Sequence, residues 1–339
     1  MPWLAVSARV SVLTAAALVA LAAGADMSLA MKTAASDSRG PYGWPLKPFD
    51  EAHPVRGYFN DPRILTRVRV FHFGIDIAAP AGTPVYAVAG GVAHVKRDTL
   101  AIVVPGDRRV FAYWHVDPVV PHRARVARHQ LVGYVQPLGR HLHPTDGRHF
   151  HFSELWDGEY RDPLRPGALA PWADTTVPTV GSIVFGHGSR RLSPLAVYGP
   201  VDVVVDAFDR PPLAVPAPWA NLPVAPARLS WRVLRGATVV RGWRTPVDFR
   251  AALVSRARFG RVYAPGTRQN KASVPGRYRF FLAHGWNTRR LPNGRYRLEV
   301  EAADQFGNTG RGSVAVRVVN GGTPSVGADV RQPSGEGRR

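Results

Sequence analysis

Residues 71–77 read Phe71-His72-Phe73-Gly74-Ile75-Asp76-Ile77. The run alternates with period two, so a strand is expected with Phe71, Phe73, Ile75 and Ile77 on one face and His72, Gly74 and Asp76 on the other. An imidazole and a carboxylate then share a face, with only a hydrogen at the position between them. A second alternating run, His149-Phe150-His151-Phe152-Ser153, puts His149, His151 and Ser153 on one face and Phe150 and Phe152 on the other. Side by side, the two strands set two histidines next to a His/Asp pair. Two imidazoles and one carboxylate with an open fourth position make a catalytic zinc set. Parity alone leaves open which histidine of the second run takes part.

Composition narrows the setting. The chain has 339 residues, enough for about two domains. Gly (33) and Pro (31) are abundant, and long stretches of helical period are lacking after the N-terminus, which favours strands and turns. There is no cysteine, so disulfides, thiolate zinc sites and a cysteine nucleophile are excluded, and any metal must rest on histidine and carboxylate. Lys and Arg total 44 against 24 Asp and Glu, a net charge of +20 that favours polyanions. No recognition helix, RNA-binding aromatic signature or zinc-finger spacing is present, so nucleic acid is not the expected partner. Anionic cell-envelope polymers fit the charge instead.

At the N-terminus, Arg9 precedes an apolar run from Val10 to Ala23 and then small residues, the order of a secretory signal peptide over residues 1–26. The run is short for a membrane span, so membrane contact is expected only if this segment stays uncleaved as an anchor. Residues 27–43 read as a linker, 44–172 as a first domain of short strands, 173–320 as a second, and 321–339 as a disordered Gly/Pro/Ser-rich tail. In the first domain, residues 109–116 are expected as a strand with Phe111, Tyr113 and His115 on one face. In the second, Arg295 to Ala302 and Ser313 to Val318 alternate on either side of the turn Asp304-Gln305-Phe306-Gly307-Asn308, as a hairpin at the edge of a β-sandwich does. Asp202, Asp206, Asp209 and Asp304 have no calcium-loop spacing and read as surface carboxylates.

Three separated elements carry a resemblance. His72-Phe-Gly-Ile-Asp76 leads into Pro80-Ala-Gly82-Thr83-Pro84-Val85-Tyr-Ala87 and Gly90-Gly91-Val92; Tyr113-Trp-His115-Val and His149-Phe-His151-Phe152 follow in order. Together they resemble the lysostaphin/LytM-type zinc metallopeptidases over residues 44–160. The second domain resembles bacterial immunoglobulin-like modules in general style. The resemblance implies an all-β chain, with an antiparallel β-sheet metallopeptidase domain followed by an immunoglobulin-like β-sandwich. It also implies one Zn2+ on His72, Asp76 and His151, with His115 and His149 as further active-site residues. The sequence departs from the family's usual Pro-His-Leu-His-Phe-Glu: Arg148 and Phe150 replace Pro and Leu, and Ser153 precedes Glu154. A rival pair, His141 and His143, lies beside the turn Pro144-Thr145-Asp146-Gly147 and is expected to rim the cleft.

The implied chemistry is hydrolysis by a zinc-activated water, with His149 as general base and His115 stabilising the oxyanion, or the two exchanged. No His-Glu-x-x-His helix motif occurs, which excludes a thermolysin-like site. The expectation is an exported enzyme that cleaves peptide bonds of peptidoglycan, with the second domain as spacer or binding module. The competing expectation is a non-catalytic envelope scaffold that regulates another wall hydrolase.

Overall fold

The computed structural model describes residues 41–65, 68–97, 99–137 and 149–321. The signal peptide, most of the linker, the His141/His143 pair and nearly all of the tail lie outside the described residues. No helix among the described residues is long and apolar enough to cross a membrane.

The first domain is built on one antiparallel sheet. Its strands are Val55–Gly57 (β1), Ile75–Ala78 (β4), His149–Trp156 (β12), Arg109–Trp114 (β8), Thr99–Val103 (β7), Gly91–Lys96 (β6) and Arg125–Val126 (β10), in that spatial order; Glu159–Arg161 (β13) pairs with the end of β12 on the edge opposite β8. A small sheet of Pro84–Tyr86 (β5), Leu131–Val135 (β11) and Val116–Pro118 (β9) stands beside it, and Pro62–Ile64 (β2) pairs with Arg69–Phe71 (β3). Ile75, Ile77, Phe111, Tyr113, Phe150 and Phe152 are fully buried on one side of the main sheet, packed with Trp44 and Tyr42. Each such side chain contributes roughly 1.5–3 kcal/mol by leaving water. This fixes which face of β4 and β12 carries the polar side chains.

Two expectations from parity fail here. Residues 71–77 are not one strand: β3 pairs with β2, the chain bends at 72–74, and β4 begins at Ile75. The four apolar residues therefore separate. Phe71 enters the core of the second domain, its ring centroid 6.1, 5.2 and 5.6 Å from those of Phe249, Phe259 and Tyr263. Phe73 packs 4.4 Å from the His151 ring and 5.4 Å from that of Trp114. Only Ile75 and Ile77 stay in the first core. The strand expected at 109–116 likewise stops at Trp114. His115 takes the left-handed conformation (φ 62), an uncommon choice for a non-glycine residue, and no longer shares a face with Phe111 and Tyr113.

The second domain is also all β. One sheet runs Arg190–Leu192 (β15), Thr179–His187 (β14), Pro200–Phe208 (β16), Arg279–Asn287 (β19); the other runs Thr238–Asp248 (β18), Arg228–Arg235 (β17), Gly294–Ala303 (β20), Thr309–Val318 (β21). A single apolar cluster joins both sheets, from Val203 and Phe280 to Trp231 and Leu298. The hairpin β20–β21 alternates as expected, with Tyr296, Leu298, Val300 and Ala302 buried.

The two halves are stitched together around residues 58–72. Besides Phe71, Asn60 donates to the Ala252 carbonyl at 3.3 Å and accepts from Val254 N–H at 3.0 Å, and the Tyr263 hydroxyl donates to the Asn60 carbonyl at 2.8 Å. Asp61 accepts the Ala225 N–H at 2.9 Å. The second domain, expected as a spacer or binding module, packs directly against the first.

Candidate metal centre

The register of β4 against β12 sets His151 opposite Asp76 and His149 opposite Ala78. The bend at 72–74 brings His72 onto the same side. Gly74 permits this approach, because a Cβ there would run into the Phe152 carbonyl oxygen and stand 2.7 Å from His151 Nε2. The hydrogen between His72 and Asp76 thus makes room for the neighbouring strand.

Three donor atoms converge. His72 Nε2 lies 2.8 Å from His151 Nδ1 and 3.1 Å from Asp76 Oδ1, and His151 Nδ1 lies 3.3 Å from the same carboxylate oxygen. All three residues are buried. Tetrahedral donors about 2.0–2.1 Å from a zinc ion stand roughly 3.3 Å apart, so the spacing fits such an ion.

Hydrogen bonds on the far side of each ligand support the same use. His72 Nδ1 is 2.8 Å from the Tyr58 carbonyl, which can only accept, so the ring proton sits on Nδ1 and the lone pair on Nε2 faces the cluster. Ser153 Oγ lies 2.7 Å from His151 Nε2 and can accept its N–H, leaving Nδ1 bare. Arg63 Nη2 donates to Asp76 Oδ2 at 2.7 Å, which occupies that oxygen and leaves Oδ1 for the cluster. Two imidazole lone pairs and a carboxylate oxygen at these distances repel one another, and a cation between them resolves that repulsion. His72, Asp76 and His151 are the residues that could hold a metal here.

Electrostatics keep the imidazoles neutral. Burial, followed by the Arg63 charge, pushes His72 down to about 3. Burial also lowers His151. For Asp76, burial alone would favour the acid form, but its electrostatic interactions with the facing His72, Arg63 and His149 outweigh it and hold the carboxyl well below its usual range.

The other two histidines stand at the rim of this cluster. His149 Nε2 is 3.8 Å from Asp76 Oδ1, and the His115 ring lies 5.2 Å from that of His149. The left-handed turn at His115 is what swings its ring to this side. Sequence reading missed Arg56 and Arg63. Arg56 Nη2 lies 2.7 Å from His149 Nδ1 and 3.9 Å from Asp76 Oδ2, and its guanidinium stacks 3.9 Å from the Trp219 ring of the second domain. Burial and the Arg56 charge hold His149 well below its ordinary value. The one local signal was Gly57, where a Cβ would meet both Arg63 Nη2 and Asp76 Oδ2 at 2.7 Å. Glu154 points away from the centre; it is buried, bound by Arg165 at 2.6 and 2.8 Å and by the Tyr42 hydroxyl at 2.6 Å.

The expected surface carboxylates divide. Asp206 pairs with Arg277 and Arg279, and Asp202 accepts the Gly285 N–H. Asp209 and Asp304 are not on the surface: they are buried together with Asp174 at the seam between the domains. All three belong to the second domain, whose fold brings them together from distant parts of the sequence, with Tyr58, Phe59 and Asp162 of the first domain lining the same cavity.

Residues 70–163 match the model of peptidase family M23, a span that contains His72, Asp76, His115, His149 and His151. Among curated proteins, none matches the chain. Among solved structures, a zinc-containing peptidase from Vibrio cholerae is 28% identical, over 36% of this chain and 38% of that one, with a TM-score of 0.30. LytU is 22% identical over 35% of this chain and 86% of its own, with a TM-score of 0.28. The catalytic domain of the antimicrobial peptidase lysostaphin from Staphylococcus simulans is 20% identical over 32% of this chain and 87% of its own, with a TM-score of 0.27. The chain spans little more than a third of the Vibrio cholerae peptidase. Residues 70–163 of this chain are a peptidase family M23 domain.

Proposed function

We propose that the chain is an exported zinc metalloendopeptidase that hydrolyses peptide bonds of bacterial peptidoglycan. The observation that carries this reading is the convergence of His72 Nε2, Asp76 Oδ1 and His151 Nδ1 within 3.3 Å of one another inside a peptidase domain. A zinc ion held there supplies a Lewis acid that makes water nucleophilic near neutral pH and polarises a scissile carbonyl.

The remaining work falls to side chains. A nucleophilic water needs a proton acceptor, and the tetrahedral oxyanion needs a donor. Arg56 Nη2 lies 2.7 Å from Nδ1 and 3.1 Å from Nε2 of His149, so the cation holds the ring in place, and burial together with this charge disfavours its protonation. A ring that resists protonation is a poor base, so His149 serves as the N–H donor for the oxyanion, and the half-exposed His115 accepts the proton and returns it to the leaving amine. This is the exchanged version of the assignment expected from sequence. Arg63 and the Tyr58 carbonyl hold Asp76 and His72 in place.

The reading is tested by loading the purified protein with zinc, measuring bound metal by mass spectrometry, and incubating it with purified sacculi. Soluble muropeptides with cut peptide stems or cross-bridges are expected from the wild type and none from His151→Ala. A protein that carries no metal and releases nothing favours the scaffold reading instead.

A further inference from the structure

An open cleft of about 710 Å³ lies between β18 and β19, the strands that end the two sheets of the second domain on the same side. Trp231 and Trp286, with ring centroids 5.7 Å apart, form its floor. Arg241 and Arg244 on β18 stand on one wall, and Arg290, just after β19, stands on the other. No acidic residue lines the cleft, and none of the three arginines has a carboxylate within ion-pair distance among the described residues. Some arginines elsewhere in this domain are neutralised in place, as Arg232 is by Glu299 and Arg277 by Asp206.

We propose that this cleft binds a phosphodiester-linked anionic polymer of the cell envelope. Arginines on an edge strand can also serve only to discourage strand pairing. That role calls for fully hydrated guanidiniums. Arg241 is instead half-buried, 4.4 Å over the Trp231 ring, and its Nε is cut off from solvent with no hydrogen-bond partner. A buried donor without an acceptor is costly, and an acceptor brought by a ligand removes that cost. Crowding points the same way: burial and the neighbouring Arg244 charge both lower the Arg241 pKa. Two guanidiniums on one wall suit an oxyanion that each can grip with parallel N–H bonds, the geometry that phosphate offers. A repeating phosphodiester further allows successive charges to meet Arg241 and Arg244 on one wall and Arg290 on the other. The cleft lies in the half of the chain that carries most of its excess positive charge. The identity of the polymer as an envelope component rests on the proposed function; binding itself does not.

The test is binding of purified poly(glycerol phosphate) to the full chain by calorimetry across a salt series, with cleavage of a short soluble peptide measured in parallel. Arg241→Ala/Arg244→Ala is expected to weaken binding at least roughly tenfold and to flatten its salt dependence, with peptide cleavage unchanged. Arg295→Ala/Arg317→Ala removes two charges elsewhere in the same domain and is expected to leave binding nearly intact. Circular dichroism melts of both variants separate lost binding from lost folding, and Arg290→Ala serves as the second cleft variant should the double variant not fold. Equal loss in both pairs, or no binding by the wild type, overturns the proposal. So does tighter binding of single-stranded DNA than of poly(glycerol phosphate). Because binding and cleavage are read separately, an inactive protein that still binds leaves this cleft standing while the proposed function falls.

Discussion

The guanidinium of Arg56 lies 3.9 Å from the ring of Trp219, a first-domain cation held against a second-domain indole. The same guanidinium reaches His149 at 2.7 Å. Trp219 belongs to a small apolar cluster with Val215 and Leu222, against which Ala78 at the end of β4 packs. The second domain therefore buttresses the candidate metal centre through this aromatic side chain. Trp219→Ala is expected to free Arg56 to move and to weaken its hold on the His149 ring. A cation–π contact of about 0.5–2 kcal/mol translates into roughly a 2- to 30-fold loss of kcat. Bound zinc should be unchanged, because none of the three donor atoms touches Trp219. Wild-type turnover in the variant would remove the second domain from the chemistry.

Metal binding and catalysis should separate by residue. His72→Ala, Asp76→Ala and His151→Ala each delete one of three converging donors, and each is expected to abolish stoichiometric zinc. His115→Ala and His149→Ala leave the three donors intact. They should keep zinc and lose roughly 10²- to 10⁴-fold in kcat, the usual contribution of a positioned proton donor or acceptor. Parallel metal analysis and turnover of the five variants checks this. Loss of zinc in His149→Ala would make that histidine a ligand instead.

How much of this was legible from the sequence depended on whether the deciding contact was local. The alternation in His149–Ser153 is readable because β12 is one uninterrupted strand of eight residues whose apolar face is buried along its length. The hairpin β20–β21 is readable for the same reason. The stretch 71–77 misleads because its apolar residues have three different destinations, and Phe71's partners Phe249, Phe259 and Tyr263 lie nearly 180 residues or more away. His115 misleads because a left-handed residue breaks the period of two without any glycine to announce it. Arg56 and Arg63 carry no local pattern; only the folded chain shows that they face His149 and Asp76. Asp209 and Asp304 look solvated in sequence because each sits beside a turn, and their burial comes from packing between the domains.

Gly74 tests the bend directly. Its missing side chain is the reason β4 can lie against β12 with His72 still facing Asp76. In Gly74→Ala the added carbon would collide with the Phe152 carbonyl and stand 2.5 Å from Ser153 Oγ. Backbone in a paired strand yields little, so the cost should reach or exceed the roughly 1–3 kcal/mol typical of overpacking. A lower melting temperature together with weakened zinc affinity is the expected result. A variant that melts and binds zinc as the wild type does would show that the bend does not need the glycine.

The buried carboxylates at the seam should make stability depend on pH. Asp209 is pushed up to about 7, first by burial and then by the nearby charges of Asp174 and Asp304, with the Arg210 N–H and the Thr176 hydroxyl opposing the shift. A carboxylate whose folded pKa lies above its unfolded value holds its proton more tightly in the folded state. Its stabilising contribution is complete below the unfolded value of about 4 and is lost as pH rises through about 7. Asp209→Asn keeps the oxygen that accepts both hydrogen bonds and cannot ionise. In chelator-containing buffer the variant should melt with the wild type near pH 4, pull ahead between pH 4 and 7, and hold its lead at pH 8. The gap between 3.8 and about 7 sets a ceiling of roughly 4 kcal/mol on that lead. Melting curves across this range decide the matter: an offset that is the same at every pH would mean that Asp209 is not ionising at the seam, and that packing alone explains its burial.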